Sequence, residues 1–327
     1  MKAVVVRTLG GPEVLEWTEW PEPVVAPGEV LIRVKATSVN FADIKARYGQ
    51  YHGVGEPPFI PGLDAAGVVE AVGSGVTHVE PGTRVVAFPR GGSYAEWVVA
   101  PHDLVYPLPE TLDWVTAAGI PTVGFTAYQL LAEVARLTPG ESVLVHAAAG
   151  GVGTTAVQIA RLLGAKTIVG TVGDDAKRAV VEDVGADAVI NYRHTPFVEA
   201  IQEMTQGRGV DVILDAVGGR VSEDSLKCLA PFGRLVHFGS ASGEVGQIRV
   251  SDLHASCRSV LGYSLGTARQ AKPQSIRPAA DQVLKWVGEG ALRVIVSRRY
   301  PLSEAADAHR WMESRQSVGK IILDVSL

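Results

Sequence analysis

Hydrophobic positions fall into three successive patterns along the chain. Up to about residue 120, short runs of β character are separated by Pro and Gly: Lys2–Arg7, Val30–Ala36, Gly67–Val72, Arg84–Phe88 and Tyr94–Ala100. Pro27-Gly28, Pro61-Gly62 and Pro81-Gly82 punctuate them, which predicts a compact β unit with tight turns. A helix-like stretch, Ala127–Arg136, leads to Thr138-Pro139-Gly140, and from there strands alternate with helices. Val143–Ala148, Thr167–Val172, Ala188–Tyr192, Val210–Val217 and Leu235–Gly239 read as apolar strands. Val152–Leu163, Ala176–Val184, Phe197–Thr205 and Val221–Leu229 read as the helices between them. Strands that are apolar on both faces and spaced by helices predict a parallel sheet covered on both sides. Beyond residue 260 the first texture returns. Val260–Leu265 is a sixth strand, Pro273-Gln274-Ser275 opens a helical region, Ala279–Gly288 and Glu304–Glu313 are helical, and Val294–Val296 and Ile321–Val325 are strands. The predicted architecture is α/β. A doubly wound domain at 125–262 is inserted into a β-rich domain built from 1–124 and 263–327.

The first apolar strand runs into Ala149-Gly150-Gly151-Val152-Gly153 and then a helix. Gly150 and Gly151 let the backbone turn tightly and approach a diphosphate, and Gly153 lets the helix sit close to the strand. The helix N-terminus offers free N–H groups to phosphate oxygens. Because strand, turn and helix occur in order and begin the alternation, the segment predicts a dinucleotide site. An NAD site usually carries an acidic residue about 20 positions on, at the end of the second strand. Here that strand ends Val172-Gly173-Asp174-Asp175. Gly173 leaves room for a 2′-phosphate, and Lys177 and Arg178 lie one turn into the next helix, which favours NADPH. Asp174 and Asp175 are read as a helix cap and first turn.

The composition narrows the function classes. The 327 residues, 46% hydrophobic and 20% charged, suit a globular chain of about two domains. Thirty Lys and Arg against 35 Asp and Glu give a net charge of −5, which argues against a broad nucleic-acid or anionic-membrane surface. Two cysteines, Cys228 and Cys257, exclude both a disulfide framework and a four-thiolate metal site. No apolar run approaches the ~18 residues of a membrane helix. Met1–Arg7 is too short an apolar stretch for a signal peptide. A cytoplasmic protein without nucleic-acid or membrane partners is expected.

With these motifs in place, the chain resembles the zinc-independent quinone oxidoreductases, the zeta-crystallin-like branch of the medium-chain dehydrogenase/reductase superfamily. The resemblance rests on Val39-Asn40-Phe41-Ala42-Asp43-Ile44, on Pro61-Gly62-Leu63-Asp64-Ala65-Ala66-Gly67 and on Gly124-Phe125-Thr126-Ala127-Tyr128. It continues through His146–Gly153 and Gly170-Thr171-Val172-Gly173. It implies a GroES-like β-barrel catalytic domain and an inserted Rossmann domain, with the active site in the cleft between them. It further implies NADPH contacts from Asn40, Thr126, Ala149, Gly150, Gly151, Val152, Gly173, Lys177, Tyr192, Phe238 and Lys320. Lys320, placed just before the last strand, is similar to a C-terminal basic residue that approaches the cofactor. A homodimer joined through the edge strands of the Rossmann sheets is implied as well.

Zinc alcohol dehydrogenases of the same superfamily hold their metal with a Cys and a Gly-His-Glu segment. Those places carry Asn40 and Gly62-Leu63-Asp64 here, and neither an amide nor a leucine supplies a thiolate or an imidazole. None of the eight histidines, His52 included, has metal-like pair spacing. Asp43 and Asp64 read as hydrogen-bonding groups, and His146 as a packed, hydrogen-bonded side chain. Without a Lewis acid, a quinone or an α,β-unsaturated carbonyl is the acceptor expected, since it delocalises the charge that hydride brings. Tyr51, with Tyr48 one helical turn away, and Asn40 are the catalytic candidates. A tyrosine hydroxyl there either donates to the developing oxyanion or only walls the substrate. Two alternatives stand beside this reading: a 2-enoyl thioester reductase, and a non-catalytic NADPH-binding regulatory or RNA-binding protein.

Overall fold

The computed structural model describes residues 1–51 and 55–325; His52 lies outside them. The chain forms two compact units, Met1–Phe125 together with Gly266–Leu327, and Thr126–Leu265. The first contains β1 (Lys2–Val6), β2 (Leu15–Glu19), β3 (Glu29–Val39), β4 (Asp64–Val72), β5 (Arg84–Ala87), β6 (Trp97–Pro101) and β7 (Val105–Pro107). The second contains β8 (Ser142–Val145), β9 (Thr167–Val172), β10 (Ala188–Asn191), β11 (Val210–Asp215), β12 (Leu229–His237) and β13 (Ser259–Gly262). The chain then returns to the first unit with β14 (Val296–Pro301) and β15 (Lys320–Asp324).

In the first unit β1 and β2 form an antiparallel pair, and the main sheet runs β14-β15-β3-β4-β5-β7, with β6 also paired to β3. Strand β3 is its hub. Val30, Ile32, Val34 and Ala36 face the core in strict alternation, together with Val5, Val69, Val85, Val98 and Val105. From Ala36 to Val39 every residue is buried, so Thr37 and Ser38 enter the interior and need internal partners. The helix Phe41–Arg47 follows at once, with Asn40 as its extended N-cap.

The second unit is a six-stranded parallel sheet in the order β10-β9-β8-β11-β12-β13. Its interior is aliphatic, with Leu144, Val169, Ile190, Ile213 and Leu235 at its centre. The order reverses at β8. The C-terminal end of that strand is therefore the switch point where a doubly wound sheet opens a crevice. The stretch expected as one helix from Ala127 to Arg136 instead winds through wide turns at Pro121–Phe125 and Gln129–Val134, on either side of a short α segment, Thr126–Tyr128. Strand β2 and the helix Phe41–Arg47 escaped the pattern reading because each is short and mixes polar with apolar residues. Among the described residues no helix is long and apolar enough to cross a membrane.

Candidate functional site

In the parallel-sheet unit the site is made by backbone. After β8 the chain passes His146 and turns at Ala147, a non-glycine residue at φ +52°. Gly150 N then donates to the Ala147 carbonyl at 3.0 Å. A Cβ at Gly153 would lie 2.4 Å from the Ala147 oxygen and 2.6 Å from the Ala148 Cα, so only glycine lets the helix Gly151–Leu162 start there. Gly150 is more relaxed, since a Cβ there would come no closer than 3.3 Å to its nearest neighbour, the Ala147 oxygen. No side chain caps the helix at Gly150, which leaves its first N–H groups available to an anion. Ala149 is buried and Val152 half-buried beside this turn.

Two expectations at the second strand need revision. Gly173 does not simply leave room for phosphate: a Cβ there would sit 2.4 Å from the Tyr192 hydroxyl, so the glycine accommodates the exposed Tyr192 ring. Arg178 is not a second phosphate reader, because its guanidinium donates to the Val189 carbonyl and lies 3.4 Å from Asp175. Asp174 does act as the N-cap, accepting from Ala176 N at 3.0 Å. Lys177 is half-buried at the end of that short turn, and burial lowers its pKa against the pull of Asp174.

Beneath the turn lies a buried polar layer. His146 bonds the Thr171 hydroxyl through Nδ1 (3.0 Å) and that of Ser225 through Nε2 (2.9 Å), and burial lowers its pKa to about 4. Asp215, at the C-terminal end of β11, accepts from Val217 N, Gly218 N and the Ser222 hydroxyl, with His237 Nδ1 at 3.4 Å. Burial opposes its charge, but these donors, His237 first, hold its pKa at about 2. Phe238 follows β12, its N–H donating to the Asp215 carbonyl. Thr126 is buried at the start of this unit.

In the barrel unit the polar groups are side chains brought together from far apart in sequence. Asp64 Oδ2 accepts from Ser38 (2.6 Å) and from Asn40 Nδ2 (2.8 Å), and Oδ1 accepts from the Thr122 amide and hydroxyl (2.8 and 2.6 Å). Lys320 was expected before the last strand, reaching a cofactor. It is instead the first residue of β15 and 2% exposed. Its ammonium donates to Asn40 Oδ1 at 2.6 Å and to the Val39 carbonyl at 3.2 Å, with Asp64 at 3.5 Å. The register of β15 on β3 fixes this, since Ile321 pairs with Val39 and so carries Lys320 past the end of the strand to Asn40. Asn40 therefore spends both ends of its amide inside the unit.

Asp43 is buried one helical step away. It accepts from Asn40 N (2.8 Å) and the Tyr94 hydroxyl (3.2 Å), and Tyr94 also bonds His309 Nε2 (3.1 Å). Burial raises Asp43 to about 7, with the Asp64 charge adding to the rise and the Asn40 amide opposing it. Burial also lowers His309 to about 3. Tyr48 is not one turn along a helix from Tyr51: the helix stops at Arg47, and Tyr48 is exposed with the Arg47 guanidinium 4.7 Å from its ring centre. Tyr51 is half-buried; burial raises its pKa, and the charge of Arg269 offsets part of that. Tyr94, His309, Ser38 and Thr122 were missed from sequence. The one available signal was the polar pair Thr37-Ser38 ending an otherwise apolar strand.

Comparison with known proteins agrees with both units. Residues 26–110 match the alcohol dehydrogenase GroES-like domain, and residues 151–285 match the zinc-binding dehydrogenase family. A 2-haloacrylate reductase from Burkholderia sp. is 38% identical, with 98% of each chain covered. A quinone oxidoreductase from Pseudomonas aeruginosa is 36% identical over 98% of this chain and 99% of its own. The crystal structure of Escherichia coli quinone oxidoreductase complexed with NADPH superposes with a TM-score of 0.91 at 35% identity, over 99% of this chain and all of that one. With full-length relatives of this identity, the chain belongs to the quinone oxidoreductase branch of the medium-chain dehydrogenase/reductase superfamily and is an oxidoreductase.

Proposed function

We propose that this chain is an NADPH-dependent, zinc-independent reductase that delivers hydride to a quinone or an α,β-unsaturated carbonyl. One observation carries the metal-free reading. Asn40 and Asp64, which stand where relatives hold zinc, have their side-chain atoms bonded to Lys320, Ser38 and Thr122. An amide already accepting from an ammonium is a poor zinc ligand, and the neighbouring Leu63 offers none. The donor set does not fit the metal.

The residues do fit the dinucleotide. The uncapped N-terminus of Gly151–Leu162 and the turn that only Gly153 permits would hold the diphosphate, with Ala149, Gly150, Gly151 and Val152 against it. Lys177 would meet the 2′-phosphate, and Tyr192 over Gly173 would pack on the adenosine. Thr126 and Phe238 are the remaining cofactor contacts. Bound NADPH supplies a hydride from its nicotinamide ring. The acceptor takes it at an electron-poor carbon, its π pair moves toward the carbonyl oxygen, and a solvent proton completes the reduction. Tyr51 is neutral at physiological pH, and its hydroxyl donates to that oxygen as charge develops. Asn40 and Lys320 act at one remove, by fixing the end of β3 and the start of the helix Phe41–Arg47 that precedes Tyr51.

The E. coli quinone oxidoreductase complexed with NADPH supports the cofactor, and the 2-haloacrylate reductase supports an activated alkene as acceptor. Rapid mixing of the NADPH-loaded protein with 1,4-benzoquinone, an enone and a crotonyl thioester tests the proposal. Oxidation by quinone or enone that survives prolonged chelation is expected. Dominant thioester turnover, or loss on chelation restored by zinc, overturns it. A homodimer joined through the edge of the parallel sheet is proposed too; sedimentation at micromolar concentration reads it directly.

A further inference from the structure

Among the buried and half-buried arginines described, some pair with a carboxylate and others donate to backbone carbonyls. Arg47 pairs with Glu313 (2.6 Å), Arg234 with Glu141 (2.7 Å) and Arg178 with Asp175 (3.4 Å), while Arg84 donates to the Glu110 and Leu112 carbonyls. Arg269 stands apart. It lies on the helix Leu265–Ala271, half-buried, and among the described residues no carboxylate is within ion-pair distance of it. Its Nε is sealed from solvent without a hydrogen-bond partner. The guanidinium is 4.7 Å from the ring centre of Phe88, which packs edge-on against Tyr106 and Phe125. Arg277, its neighbour over Tyr106, is already committed to the Val105 carbonyl.

Arg269 is close enough to Tyr51 for each to shift the other's titration, and burial works against its charge. The two acids within its field are spoken for. Asp64 is saturated by Ser38, Asn40, Thr122 and Lys320, and Asp43 by Asn40 and Tyr94. Holding a guanidinium out of water without a partner is costly. A planar fork on an aromatic face, with open valences, is the arrangement that grips a carboxylate.

We propose that Arg269 binds the carboxylate of the substrate, and that the activated alkenes this protein reduces are α,β-unsaturated carboxylates. This rests on the hydride-transfer reading above. The chemistry needs such a group. A carboxylate conjugated to C=C repels hydride, because addition places a second negative charge on the carboxyl. An arginine on the carboxylate, with the Tyr51 hydroxyl beside it, offsets that charge. The hydride forms the new C–H bond at the β-carbon, the π pair shifts to the α-carbon and carboxyl, and the α-carbon takes a solvent proton. The products are the saturated carboxylate and NADP⁺.

The test compares kcat/KM for 2-chloroacrylate and for its methyl ester in wild type, Arg269→Gln and Arg269→Lys. In parallel, the unreactive 2-chloropropionate is titrated calorimetrically into the NADP⁺-loaded protein. Wild type is expected to prefer the carboxylate, and the carboxylate-to-ester ratio to fall about 100-fold in Arg269→Gln, with partial recovery in Arg269→Lys. Calorimetric binding should disappear in Arg269→Gln. A wild type indifferent to the ester, or a ratio unchanged in a variant with a normal melting curve, overturns the proposal; the wild-type ratio decides even if the variant does not fold. If no acceptor oxidises NADPH, the hydride-transfer reading fails separately. The calorimetry still rules on Arg269: binding abolished by Arg269→Gln upholds the carboxylate site, and absence of binding in wild type rejects it.

Discussion

The two sheets place polar groups in their interiors by opposite means. At the end of β8 the useful groups are main-chain amides, exposed by a turn whose one strict requirement is the absence of a Cβ at Gly153. At the end of β3 they are side chains: a carboxylate, an amide and an ammonium closed on one another across 280 residues of sequence. The first kind of site is local and tolerates almost any side chain that points away. The second depends on strand register, because one residue of slip between β15 and β3 would carry Lys320 away from Asn40. A backbone site should therefore fail when atoms are added, and a side-chain site when a charge is removed.

The largest expected effect is in the barrel. Lys320→Met keeps the volume but strands the buried Asp64 charge, and should cost about 3–5 kcal/mol in denaturant unfolding. A value under 1 kcal/mol would mean that the ion pair contributes nothing beyond packing. Titration gives the next contrast, with opposite signs in the two units. His146 has its folded pKa depressed to about 4, so the stability it supports is present above pH 6.5 and lost as pH falls toward 4. Asp43 has its folded pKa raised to about 7, so its contribution is fully present below pH 3.8 and lost as pH rises through 7. His146→Gln should then gain roughly 2 kcal/mol relative to wild type on going from pH 7.5 to 5, and Asp43→Asn a similar amount in the reverse direction. Unfolding midpoints at the two pH values read both.

Smaller effects probe the turn. Gly153→Ala should destabilise by about 1–3 kcal/mol, since the added carbon meets backbone that cannot step aside, and should weaken NADPH binding measured by fluorescence. Gly150→Ala, with more room and a φ of −77°, should do markedly less. Smallest, and in the stabilising direction, is Ala147→Gly. It relieves the left-handed backbone at φ +52° and should gain up to about 1 kcal/mol in thermal or denaturant melts.

The same contrast explains what could be read from the sequence. The alternation of apolar runs with helices located all six parallel strands, and the most buried of them write their own local signature; β12, with Pro231 and Phe232 exposed, begins at Leu229 rather than at the expected Leu235. The Gly150–Gly153 turn was legible for the same reason: its requirement lies within one short segment. The Asn40 cluster was not, since nothing near residue 320 signals that its lysine will be buried against residue 40. Register and closure of the barrel decide that. Gly173 was read as space for a ligand, yet its constraint comes from Tyr192, which arrives from the neighbouring strand. Arg269 left no pattern at all, because what marks it is a missing partner.

That β15 completes the barrel also has a biosynthetic side. Lys320 leaves the ribosome only after the whole of residues 126–265, which form a compact unit. The parallel-sheet unit can mature on a nascent chain while the barrel still lacks a strand and Asp64 still lacks its counter-charge. Truncations short of residue 320 should thus accumulate as half-built molecules, with one sound lobe and one that chaperones must shelter.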